Sequence, residues 1–95
     1  LHIYPLWLCP LRPGKNDKLS PNYIDTNLVI NVGVWGELKG SYDQFIKINH
    51  EVEKEVYDLH GRKVLYAHSY YSREQFWNIY DYKWFKEIRD KYFNN

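Results

Sequence analysis

Ninety-five residues with 13 Lys+Arg against 12 Asp+Glu make at most one modest domain of net charge +1, with no strong field to draw in nucleic acid or an anionic membrane. The hydrophobic content of 44% is that of a folded chain, yet the longest apolar runs, about seven or eight residues, are too short to span a bilayer. One cysteine excludes an internal disulfide and a Cys-rich metal site.

The chain opens at Leu1, without an initiator, directly on strand-like residues, and this predicts a piece of a longer protein. "HIYPLWLC" (2–9) predicts a first strand near 2–8, with Pro5 marking an edge or bulge and Cys9 a small buried hydrophobe. "PLRPGKNDKLSPN" carries three prolines and is turn chemistry, expected to form a mobile surface connection. "TNLVINVGVWG" predicts a second strand over 27–35, nearly continuous in apolar residues and so expected to be covered on both faces. Asn31 and Gly33 share one face with Trp35, leaving room for something to approach.

A helix is predicted over 41–60. Ser41 and Gln44 form a capping box, Phe45, Ile48, Val52, Val56 and Leu59 form its inward stripe, Lys47 and Glu51 pair on the solvent side, and Gly61 supplies a left-handed cap. "KVLYAHSYY" predicts a third strand within 62–71. "SREQ" repeats the capping box and opens a short helix over 72–80, and Asp81 caps a last one over 82–93 whose stripe is Trp84 or Phe85, Ile88 and Tyr92. The fold class is α+β: a small, mainly antiparallel sheet with helices on one face, strands one and two antiparallel, and the third strand able to pair in parallel with the second. The whole of 1–95 is expected to be a single domain or fragment.

Enzyme fingerprints are missing: there is no G-x-G-x-x-G, Walker loop, G-x-S-x-G or H-E-x-x-H. Gly33 and Gly36 are too few to cradle a phosphate. His2, His50, His60 and His68 do not share a metal-ligand spacing. The unusual stretch is Leu65–Phe85, with nine aromatic rings and a histidine in 21 residues. On a period-two strand Tyr66, His68 and Tyr70 share a face. That face is either cross-strand packing with an exposed histidine, or an amphipathic wall facing a flat aromatic ligand, with hydroxyl and imidazole groups to hydrogen-bond or donate a proton.

Four blocks, "IYPLWLCPL", "NVGVWGE", "HGRKVLYAHSYYSREQFWNIYD" and "WFKEIRDKYF", resemble, in that order, the C-terminal part of the delta-24 sterol reductase (24-dehydrocholesterol reductase, or Diminuto) family of FAD-dependent oxidoreductases. The resemblance covers most of the chain outside the Pro-rich loop and the long helix. It implies a fragment of the cap domain of vanillyl-alcohol-oxidase-like flavoproteins, which covers the flavin and shapes the substrate cavity. The FAD-binding domain would lie in a missing N-terminal part. The implied activity is reduction of the sterol C24–C25 double bond with NADPH, in an intracellular parent at the endoplasmic reticulum membrane, the fragment itself being soluble and inactive alone. Tyr66, His68 and Tyr70 are then candidate proton donors or cavity wall, and Trp7, Asn31, Trp35 and Tyr71 candidate substrate-binding residues. The expected partners are the sterol and the FAD-binding domain, with self-association through an exposed aromatic sheet face as another route. No metal or nucleic acid is expected. The alternative is a noncatalytic binding or scaffolding domain that uses the aromatic face to hold an apolar ligand or a protein.

Overall fold

Turn chemistry and helix caps divide the chain where its sequence says they should. In the computed structural model, which describes residues 1–15 and 18–93, the elements are β1 (Leu6–Leu11), β2 (Val29–Val34), α1 (Tyr42–Asp58), α2 (Arg73–Ile79) and α3 (Tyr82–Tyr92). Ser41 opens α1: its hydroxyl accepts from Gln44 N at 3.2 Å while Ser41 N donates back to Gln44 Oε1 at 2.9 Å. Ser72 and Gln75 do the same for α2 at 3.1 and 2.9 Å. Asp81 Oδ1 accepts from Trp84 N at 3.0 Å to start α3. Each device satisfies amide donors that a helix N-terminus leaves orphaned.

The end of α1 differs from expectation. The residue with left-handed backbone is His60, at φ 59°, and not Gly61. His60 N donates to Tyr57 O at 2.9 Å and Gly61 N to Val56 O at 2.8 Å, the paired bonds of a Schellman motif. Gly61, one position later, sits in a tight space: a Cβ there would lie 3.3 Å from both Val56 Cγ1 and Val56 O.

β1 and β2 form a two-stranded antiparallel ribbon with Leu6 opposite Val34 and Leu11 opposite Val29. Pro10 lies inside β1, tolerated because each strand of such a ribbon has an open edge. Leu6, Leu8, Pro10, Ile30, Val32 and Val34 share one face, and all six are exposed. Trp7, Cys9, Leu11, Val29, Asn31 and Gly33 share the other, half-buried apart from Trp7. β2 is therefore covered on one face only, against the expectation of two, and Cys9 is half-buried.

The third strand is not there: residues 62–72 carry no strand among the described residues. The reason lies in where the backbone groups go. His68 O accepts from Lys63 Nζ at 2.8 Å, and Tyr70 N donates to Glu53 Oε2 at 2.9 Å. Side chains take the groups a ladder would use, so the segment lies as an irregular strap along α1. The later part of the Pro-rich loop is likewise tied down, with residues 18–24 half-buried and the carbonyls of Lys18 and Ser20 held by Arg62, whereas residues 16 and 17 lie outside the described residues.

Tyr80, 3% exposed, is the buried hydrophobic side chain among the described residues, and Glu53, also 3% exposed, the buried charged one. Around Tyr80 the rings of α2 and α3 pack in sequence: Phe76 on Tyr80 at 4.8 Å, Phe76 on Trp77 at 4.9 Å, Trp77 on Tyr82 at 4.9 Å and on Phe85 at 5.0 Å. The expected stripe of α3 fades outward, with Ile88 39% and Tyr92 68% exposed. The chain as a whole is open. Its accessible surface is 8299 Å², against roughly 5,800 Å² for a compact chain of this mass. Its radius of gyration is 15.5 Å, against about 12 Å for a compact domain of this length.

Candidate functional site

Glu53 organises the polar site. The inward side of α1 runs through Ile46, Ile48, Asn49, Glu53 and Val56; of the expected stripe Ile48 and Val56 lie on it, whereas Leu59 is 77% exposed. Glu53 Oε2 accepts from Lys63 Nζ at 2.9 Å and from Tyr70 N. A buried carboxylate is tolerated when a cation and amide donors replace its water. Its second oxygen, Oε1, is buried without a partner among the described residues, and so is the Tyr71 hydroxyl. Both residues line a cleft of about 260 Å³ between α1 and α2, walled also by Tyr57, Gln75, Asn78 and Ile79. Burial, with the Glu53 carboxylate adding to it, pushes the Tyr71 phenol up to about 12. The phenol therefore stays protonated, able to donate and to accept.

The three residues expected to share a strand face are divided. Tyr66, 71% exposed, stacks on Trp35 at 5.9 Å with 28° between planes. His68 lies edge-on to Tyr70 at 4.6 Å, and Tyr70 turns to α1, 5.9 Å from His50 and 6.4 Å from Phe45. Lys63 Nζ sits 5.4 Å from the Tyr70 ring. His68 and Tyr70 are thus one group and Tyr66 another.

Of the four expected substrate-binding residues, Trp7, Asn31 and Trp35 gather at the ribbon. A Cβ on Gly33 would stand 3.0 Å from Trp7 Cβ and 3.3 Å from Trp35 Nε1, so the space that glycine leaves is taken by these two tryptophans. Trp7 and Trp35 are 64% and 67% exposed. Asn31 shares their side of the ribbon. Tyr71 lies apart, in the α1–α2 cleft.

Sequence reasoning missed Glu53 and Arg62. Arg62 donates to Lys18 O, Ser20 O and Ile79 O at 3.0, 3.0 and 3.1 Å, and its guanidinium lies 4.6 Å from the Tyr80 ring centroid and 5.6 Å from that of Tyr23. A signal for Glu53 existed in the alternative helical line 46/49/53/56. None existed for Arg62, whose partners are carbonyls from distant parts of the chain. No three His, Cys, Asp or Glu side chains come together as a metal site among the described residues. No helix among them is long and apolar enough to cross a membrane.

Compared with known proteins, the chain is similar along nearly its whole length to delta-24 sterol reductases. It is 33% identical over 92 residues to the Delta(24)-sterol reductase of Homo sapiens, an alignment covering 96% of this chain and 18% of that protein. To the Delta(24)-sterol reductase of Rattus norvegicus it is 31% identical over 90 residues, covering 94% of this chain and 17% of the relative. The family resemblance read from the sequence therefore stands, and the chain spans less than a fifth of the length of these curated relatives. No family model matches the chain, and no solved structure matches it.

Proposed function

We propose that this chain is the cap, or substrate-side, portion of an FAD-dependent oxidoreductase that reduces the C24–C25 double bond of sterols with NADPH, in a parent held at the endoplasmic reticulum membrane. The observation that carries the reading is similarity over 96% of the chain to proteins of which it spans only 18%. The open architecture supports it. The surplus over a compact chain is roughly 2,500 Å², as much as one side of a large permanent interface, and the aliphatic ribbon face is exposed throughout.

The chain's residues do not fit the phosphates of FAD. Gly33 is covered by Trp7 and Trp35, and the space beside Gly40 is taken by the Gln44 side chain. In this reading the phosphate-binding part lies elsewhere in the parent. This chain supplies apolar wall from Trp7, Trp35 and Tyr66, and a proton-donor candidate in the His68–Tyr70 pair. Reduction of an alkene without a neighbouring carbonyl needs an acid at one carbon and aromatic faces around the developing cation at the other.

The test is expression of the longer protein that contains this chain, supplied with NADPH and a sterol bearing the C24–C25 alkene. The expected result is a flavin absorption band and loss of the alkene. A protein without flavin that leaves the sterol unchanged overturns the reading. That result would favour the noncatalytic alternative, in which the exposed Trp35–Tyr66 stack holds an apolar ligand or a protein.

A further inference from the structure

The α1–α2 cleft holds two buried polar atoms with unmet hydrogen bonds, Glu53 Oε1 and the Tyr71 hydroxyl oxygen. A buried polar atom left unpaired is costly, so the two in this cleft are positions for a hydrogen-bonding partner, water or a ligand that displaces it. Glu53 is 3% exposed, and its other oxygen is already occupied by Lys63 and the Tyr70 amide.

The chemistry of the partner follows from what remains. An ionised carboxylate oxygen only accepts, so the ligand must bring a donor. The tyrosine hydroxyl lines the same cleft and is a donor as well as an acceptor. An oxygen that donates once and accepts once is that of a water or of an alcohol, and the apolar wall beside it favours the alcohol. Charge is already balanced around the cleft: Lys63 neutralises Glu53, and Lys54 pairs with Asp58 at 2.6 Å. A neutral ligand is therefore favoured over an ammonium or a carboxylate. The ring of Tyr57 and the side chain of Ile79 supply apolar wall. At about 260 Å³ the cleft is below the size of a pocket that swallows a drug-sized ligand whole, so it takes one end of something longer.

We propose that this cleft binds the hydroxyl end of a neutral alicyclic alcohol, Glu53 Oε1 accepting the ligand's O–H and the Tyr71 hydroxyl donating to its oxygen. The hydroxyl recognition rests on the cleft alone. Identifying the alcohol as the ring-A end of a 3-hydroxysterol rests on the sterol reading above.

The test titrates the full chain with two alcohol–ketone pairs, cyclohexanol with cyclohexanone and a 3β-hydroxysterol with its 3-keto counterpart, the sterols carried in methyl-β-cyclodextrin. Binding is read by NMR from the side-chain amides of Gln75 and Asn78. The ketones, which place an acceptor against a carboxylate, should bind at least about tenfold more weakly than the alcohols. Glu53→Gln offers a donor in place of the acceptor and should reverse that preference. Tyr71→Phe, which removes one hydroxyl and little volume, should weaken the alcohols at least about fivefold, so the proposal can be tested even if Glu53→Gln fails to fold. Alcohol and ketone binding alike, no binding by either cyclic probe, or a Tyr71→Phe variant that binds like the parent overturns the site. Preference in the cyclohexanol pair with no sterol bound keeps the hydroxyl site and counts against the sterol as occupant.

Discussion

The Arg62 guanidinium lies 4.6 Å from the ring centroid of Tyr80, the most buried hydrophobic side chain described, while holding three backbone carbonyls from two distant parts of the chain. One side chain thereby locks the 18–23 loop to the end of α2. Burial pushes the Tyr80 phenol upward, and the neighbouring guanidinium works against that shift.

Arg62→Ala should therefore destabilise the chain by about 2–3 kcal/mol, from the lost charge-assisted hydrogen bonds and ring contact. Arg62→Lys should recover only part, because an ammonium cannot reproduce a planar fork over a ring. Urea unfolding gives the magnitudes. Limited trypsin digestion should show Lys18, released from the half-buried loop, cut faster in the alanine variant.

At the end of α1, His60→Gly should stabilise by about 0.5–1 kcal/mol, since glycine adopts the left-handed backbone without the penalty histidine bears. Gly61→Ala should destabilise, because its Cβ would press on Val56 Cγ1 and on the carbonyl that closes the Schellman motif. Thermal unfolding of the two variants should move in opposite directions. A gain from both would mean Gly61 is not sterically required.

The Tyr71 phenol fixes a pH dependence. Its ordinary pKa of 10.0 is raised to about 12 by burial, with Glu53 adding to it. Between those values the unfolded chain loses a proton that the folded chain keeps, so its contribution to stability is whole below pH 10 and is lost as pH rises towards 12. Denaturation midpoints should fall across that interval, and Tyr71→Phe should make the fall shallower. Tyr80, also raised, supplies part of what remains.

The aliphatic ribbon face should make the isolated chain associate. Ile30, Val32 and Val34 are 57%, 56% and 42% exposed, beside Leu6 and Leu8 at 47% and 63%. A contiguous apolar patch of this kind marks an interface. Sedimentation velocity should show weight rising with concentration, and Val32→Glu should abolish the rise. A parent chain that stays monomeric at high concentration would tell against an uncovered face.

Local chemistry was the most legible part of the sequence. The Ser41–Gln44 and Ser72–Gln75 boxes and the Asp81 cap involve neighbours three residues apart, and all three formed. The antiparallel ribbon followed from β-rich composition and a turn-rich connection. The failure at Tyr66–Tyr70 was one of partners. A β-prone segment becomes a strand only when another strand accepts its ladder, and here the Lys63 and Glu53 side chains hold those backbone groups instead. The candidate site was half visible. Period-two alternation places Asn31 and Trp35 on one side of β2, and the cross-strand register adds Trp7 to that side, whereas Tyr71 went to a cleft whose centre, Glu53, looks in sequence like any helical glutamate.

The close approach of Trp7 and Trp35 over Gly33 has an optical consequence. The four tryptophans fall into two populations: Trp7 and Trp35 largely in solvent at the ribbon, and two half-buried ones, Trp77 in the helical ring cluster and Trp84 on α3. Their emission reports two different regions of one small chain. A protein or domain that settles on the ribbon would shift the first pair to the blue and leave the second almost where it was. A ligand entering beside Tyr71 would leave the ribbon pair unchanged, so the colour of the emitted light tells which surface has been occupied.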